Sequence, residues 1–406
     1  MVDEGGVFTN LKGSNGATNQ AVIGNTLAIW NGSVVNQDYM TTGVLTGTGR
    51  MENQASFYAT DIVANNGFSF VNGSDVATEV SGSAAFYDLT NNGSITVAGA
   101  MSVFGENAVN NGTLTVGSLS TEGTSTLVNF GSVTVNSALD GVNYTQSGAN
   151  AEISFANDEV TNSTITIADG AAWAHQLGTG NTYIVESNQK LNVENGGHLD
   201  PDWASDFSQI VADAVTSENT FVINEGGVLK FNTLGMGGRE GEYITVDGGA
   251  LQTSLDQIFD GVAYDDGFGH RIEDGEALAS VGANTVSGLS SNAQTAIAFG
   301  ENGGYIVFDD AHYFDTITNA IDDAFLDGNW NHVTIAFTGQ NEASGDFDLT
   351  WANEKLAGID SDVNYVFGDI ELDASSTPTV SGAFSRDENG NVTMDGRVDA
   401  GSSSIG

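Results

Sequence analysis

The acidic side chains are the first place to look for chemistry. Aspartates stand in adjacent pairs at Asp265 and Asp266, Asp309 and Asp310, and Asp322 and Asp323, and two carboxyl groups flanking a sugar bond are the apparatus of glycoside hydrolysis. The chain, however, carries 53 acidic residues against 9 basic ones, so adjacent aspartates arise from composition alone and a solvated surface accounts for each pair. A lyase acting on acidic polysaccharide also needs a basic residue beside a bound cation. Arg50, Arg239, Arg271, Arg386 and Arg397 are scattered, and only Arg271, within residues 265–273, shares a short stretch with acids, a histidine and an aromatic.

Metal and nucleophile chemistry have less to draw on. The histidines, His175, His198, His270, His312 and His332, lie far apart, with no helical zinc-motif spacing among them, and cysteine is absent. Asp387, Asn389 and Asn391 alternate as the first ligands of a calcium loop do. Val392 stands where that loop needs glycine and no glutamate closes it, so the stretch reads as a turn. We expect no cofactor, no metal and no hydrolase or lyase activity.

A formal charge of -44 repels nucleic acid, anionic lipid and polyanionic glycans, which removes those partners. Without cysteine there is no disulfide framework, which also suits a chain that must cross an oxidising compartment unlinked. No apolar run is long enough to span a bilayer as a helix. The opening residues lack the charged-then-apolar pattern of a signal peptide, so export would require a targeting segment outside this sequence.

The elements that would position such side chains come from a repeat. Thr90-Asn-Asn-Gly-Ser-Ile-Thr-Val97, Val109-Asn-Asn-Gly-Thr-Leu-Thr-Val116 and Val128-Asn-Phe-Gly-Ser-Val-Thr-Val135 place Gly93, Gly112 and Gly131 at one fixed spacing. In each copy the aliphatics alternate with hydroxyls, the signature of a strand with one core face. One such unit cannot bury that face, whereas units stacked at a fixed period pile their aliphatics into one core. Abundant glycine and almost no proline agree with strands and tight corners. The Gly is expected to take positive φ, and the Asn to bond local backbone or the Asn of the next coil. The fold expected is all-β, a right-handed parallel β-helix with coils of about 19–22 residues.

Looser copies of the same grammar follow at 167–173, 193–199, 223–229, 246–251 and 301–308, with longer gaps between them. Residues 1–80 read as irregular coils, 81–200 as the most regular repeats, and 201–406 as coils interrupted by helical insertions near 201–216, 254–264 and 311–327. Trp203, Phe207, Ile210, Val211 and Ala214 fall on one helical stripe, as do Leu255, Ile258, Phe259 and Val262, and Phe314, Ile317, Ile321 and Phe325. The third insertion would leave the strand ladder as a lateral projection. Its Asp315, Asp322 and Asp323 would face water beside Tyr313 and Trp330, an acidic face edged with aromatics suited to a cationic protein loop or a neutral sugar. These five residues are the binding site expected from the sequence. A helix that merely covers the side of the solenoid is the plainer account of the same pattern. No linker divides the chain, so one continuous domain over 1–406 is expected.

Units of an aliphatic, two polar residues, Gly-Gly and an aliphatic pair, carried by residues 86–141, 163–173, 193–199, 221–253 and 301–308, resemble the passenger domains of Gram-negative autotransporters and related secreted adhesins. The resemblance implies the right-handed parallel β-helix and export to the surface of a Gram-negative bacterium, with function in side loops. It would leave an outer-membrane translocator barrel missing here, since no regular ten-residue amphipathic strands ending in an aromatic follow residue 370. The protease members' Gly-Asp-Ser-Gly is also absent; Ser344-Gly-Asp-Phe347 has no serine at the nucleophile position.

The function expected is therefore a non-enzymatic adhesin-like or structural passenger, extracellular or at the cell surface. Its partner would be a surface protein of a host or neighbouring cell, or a neutral glycan. A carbohydrate-active β-helix using paired aspartates is the second reading. An S-layer or filament subunit, which self-associates, is the third.

Overall fold

Ile95, Leu114 and Val133 stand one above another in parallel register, and all three are buried. Thr96, Thr115 and Thr134 form the neighbouring column on the opposite face. The alternation of aliphatic and hydroxyl thus decides which way each strand turns, and stacking identical strands makes a continuous core from faces that none could bury alone.

The computed structural model describes residues 1–12, 20–191, 203–238, 241–260, 288–308, 333–337, 364–370, 379–386 and 392–399. Two compact units divide at Tyr183 and Ile184. Both are all-β, and their parallel strands wind into β-solenoid coils, about 12 turns in all. In the first unit successive coils give one strand to each of two sheets. Asp88–Asn91 precedes Ser94–Val103, and one coil later Ala108–Asn110 precedes Thr113–Thr121. The long strands break register between Val97 and Ala100, an irregularity of the kind that bends a strand round a corner.

The corner asparagines have a more definite role than their sequence context shows. The side-chain amide of Asn10 donates to Asn36, Asn36 to Asn53, Asn53 to Asn72, Asn72 to Asn91, Asn91 to Asn110, and Asn110 to Asn129, at 2.6–2.9 Å. All seven side chains are buried. The run passes into a different group at Asn129, whose amide donates to the Tyr144 hydroxyl at 2.9 Å. A buried amide is costly unless bonded, and a ladder at strand spacing satisfies each one with its own copy on the next coil.

The repeat glycines do not take positive φ, as the sequence suggested, because a different constraint holds them. A Cβ on Gly112 would sit 2.0 Å from the Gly93 carbonyl oxygen, and one on Gly131 would sit 2.1 Å from that of Gly112. These corners close so tightly on the coil beneath that only hydrogen fits. The Gly-Gly corners of the second unit divide the work. Gly248 takes φ +85, while Gly249 meets the Asn224 carbonyl, where a Cβ would lie 2.5 Å away.

In the second unit Ser208–Thr216, Gly227–Gly235, Ala250–Thr253 and Gly304–Phe308 pair in parallel, and Val333–Phe337 and Asn364–Ile370 continue the sheet. Thr379–Arg386 and Val392–Asp399 then join it antiparallel. Val392 heads a strand, paired with Arg386; Asp387, Asn389 and Asn391 lie outside the described residues.

The helix expected over 201–216 is a correction. Only Trp203–Asp206 turns, as a 3-10 segment, and Ser208–Thr216 is a strand. Ile210 is buried while Val211 is 49% exposed, an alternation of period two that a helical stripe containing both cannot give. The ladder to Gly227–Gly235 supplies the strand's backbone partners and overrides the local pattern. Trp203 instead closes a cluster with Leu191, Val228, Ala250 and Val307. The second insertion is shorter than expected, one turn at Leu255–Ile258 followed by an antiparallel bridge of Phe259 to Leu289. A helix that the sequence reading did not anticipate, Ser291–Ala296, is capped by the Ser290 hydroxyl, which accepts from the Ala293 amide at 3.1 Å. The third insertion lies outside the described residues.

Candidate functional site

Tyr313, Asp315, Asp322, Asp323 and Trp330 all lie outside the described residues, as do Arg271 and the three aspartate pairs. Of the histidines, His175 is the one described. Its Nδ1 is held on the Asp158 carboxylate and its Nε2–H donates to the Ile153 carbonyl at 2.9 Å. The ring also packs 4.7 Å from Phe155 and 4.9 Å from Trp173, centroid to centroid. The second carboxylate oxygen of Asp158 accepts from the Gln176 amide at 2.9 Å. Both ring nitrogens are engaged within the protein, and the imidazole fastens residues 153–158 to 173–176. Among the described residues no group of three or more His, Asp or Glu could hold a metal ion.

A site with open access lies elsewhere, on the outer face of the first unit. The strands Tyr39–Gly47, Phe57–Ala64, Ala77–Val80 and Ser94–Val103 bring Thr41, Tyr58, Glu79 and Thr96 into one register column. Met40, Phe57, Thr78 and Ile95 alternate with them and are buried, so strand period alone turns the column to solvent. Around it runs an open groove of about 330 Å³, lined also by Thr60 and Ser81 and floored by Ala59 and Val80. Ser81, one of the lining residues, begins the short break between Ala77–Val80 and Ala84–Phe86. The Ser81 and Gly82 amides donate to the carbonyls of Ala59 and Thr60 at 3.1 and 2.7 Å, and the Ser83 amide to the Asp61 carboxylate at 2.8 Å.

The chemistry of the lining is specific in kind. Tyr58 lies against Tyr39, ring centroids 5.2 Å apart and planes inclined by 33°, a contact that steadies the Tyr58 ring on its strand. Thr41, Thr60, Ser81 and Thr96 carry hydroxyls that can both donate and accept. Glu79 is the only charged residue of the lining. Beyond Thr96 the column continues through Thr115, Thr134 and Ser154, and Ser154 and Thr134 bond hydroxyl to hydroxyl at 3.3 Å.

Sequence reasoning passed over this groove because its members are not equally spaced. Met40 pairs with Phe57, but Phe57 pairs with Thr78, so the fixed period of the later repeats does not find Tyr58 or Glu79. The available signal was weak, an outward Thr or Tyr between buried apolar residues. The chain matches no protein-family model, no curated protein and no solved structure. Among the described residues no helix is long and apolar enough to cross a membrane.

Proposed function

We propose that this chain is a non-enzymatic attachment protein, an exported β-solenoid comparable to the passenger domains of Gram-negative autotransporters and displayed at the cell surface. The observation that carries this reading is the groove around Tyr58. It offers an aromatic surface, several hydroxyls and a single carboxylate, whereas glycoside hydrolysis requires two carboxyl groups flanking the bond. A parallel solenoid supports such a role because it holds side chains on a long, rigid face without any need for moving parts. The test has two arms. The purified chain, immobilised on beads, should retain whole cells or cell-wall material. The same preparation should release no products from a panel of neutral and acidic polysaccharides, and turnover on any of them would sink the proposal.

One observation favours a filament subunit as the second reading. Val7, Phe8, Leu11 and Val22 are exposed, and exposed apolar side chains invite contact with another copy of the chain. Sedimentation over a wide concentration range distinguishes the two, since a filament subunit grows with concentration and a displayed monomer does not.

A further inference from the structure

We infer that the groove around Tyr58 is a binding site for a neutral, linear oligosaccharide that runs along the coil axis. This rests on the reading of the chain as an attachment protein and adds to it the ligand class and the residues. A sugar ring has an apolar face and a hydroxylated rim, and the groove offers a counterpart to each. The Tyr58 ring, backed by Tyr39 at 5.2 Å, supplies the stacking surface. Thr41, Thr60, Ser81 and Thr96 supply groups that donate as well as accept, which suits hydroxyl ligands and exceeds what a cation would need. Glu79 accepts charge-assisted bonds from sugar hydroxyls.

Charge decides which sugars qualify. A chain of net charge -44, with a carboxylate and no basic side chain in the lining, repels uronates and sulfated glycans. Length follows from the ladder. Thr96, Thr115 and Thr134 repeat on successive coils, about 4.8 Å apart, so a polymer leaving the Tyr58 surface meets a hydroxyl on each coil and a single sugar does not.

The experiment is calorimetric titration of the full chain with neutral oligosaccharides of glucose, xylose, mannose and galactose, from dimer to hexamer, with oligogalacturonate and a lysine-rich peptide as comparison probes. At least one neutral series is expected to bind, with affinity rising with length. Tyr58→Ala should weaken it about tenfold or more, Tyr58→Phe should leave it within about threefold, and Glu79→Gln should weaken it too. Unchanged thermal unfolding shows that the variants are folded. The inference is overturned if no neutral series binds, if binding survives Tyr58→Ala, or if oligogalacturonate or the peptide binds in its place. Cell attachment that persists in folded Tyr58→Ala removes this site and leaves the attachment reading standing. Cleavage of an oligosaccharide removes the attachment reading itself.

Discussion

Asn91 donates its side-chain amide to the Oδ1 of Asn110, one coil further on, at 2.6 Å, and both side chains are fully buried. Asn110 in turn donates to Asn129 at 2.7 Å. Asn110→Ala would therefore deprive two buried neighbours of a partner at once. We expect a loss of about 2–3 kcal/mol in denaturant unfolding, the cost of stranding buried polar groups. Asn111→Ala is the comparison. Asn111 bonds Asn92 on the exposed side of the same corner at 2.8 Å, and its loss should cost about 0.5 kcal/mol or less. Equal effects would mean that the buried ladder is not what holds the corners in register.

The close stacking of the corners makes Gly112→Ala severe. The new Cβ would meet the Gly93 carbonyl oxygen at 2.0 Å, and the contact is with backbone, so the coils themselves must part. A loss of about 3 kcal/mol or more is expected. Gly123→Ala serves as the control, since Gly123 has φ +61 but nothing within 4 Å of its Cβ position, and it should cost about 1–2 kcal/mol. Thermal unfolding of the two variants side by side decides between crowding and backbone conformation.

Strand alternation can be checked in both units. Leu114 and Ile210 are buried, whereas their neighbours Thr113 and Val211 are exposed. Leu114→Asp and Ile210→Asp place an unpaired charge among aliphatics and should each cost several kcal/mol, about 3 or more. Thr113→Asp and Val211→Asp should stay within about 0.5 kcal/mol. A helix at residues 208–216 would predict instead that Val211→Asp is as damaging as Ile210→Asp.

Buried tyrosines should make the protein sensitive to alkali. Burial raises the Tyr144, Tyr183 and Tyr305 hydroxyls above their ordinary range and pushes Tyr243 up to about 12. The Asn129 amide on Tyr144 pulls the other way but is the smaller effect. Above the ordinary tyrosine value near pH 10, the unfolded chain releases protons that the folded chain retains. Stability therefore falls as pH rises from about 10 to 12. In an absorbance titration Tyr144, Tyr183 and Tyr243, three of the 10 tyrosines, should ionise only together with unfolding. Smooth ionisation of all 10 in a protein still folded by circular dichroism would contradict their burial.

The sequence alone was enough for the coil. Three copies of a strand with alternating aliphatics and hydroxyls, at one spacing, have only one economical way to bury their apolar face, and Leu114 could be placed in the core without any coordinates. That inference works because strand period is local: it depends on residues two apart and on a repeat short enough to see. Other features depend on what lies on the next coil. Asn110 and Asn111 are neighbours of the same type, yet one is buried and the other exposed, because only stacking decides which points inward. Gly112 needs no unusual φ; its constraint is the carbonyl oxygen of Gly93. Residues 208–216 carry a helical stripe and still form a strand, because Gly227–Gly235 offers a complete set of backbone partners. The Tyr58 groove is the extreme case. Thr41, Tyr58, Glu79 and Thr96 come from four coils at unequal spacings, and only the tertiary register, set by backbone pairing between coils, brings them to one face.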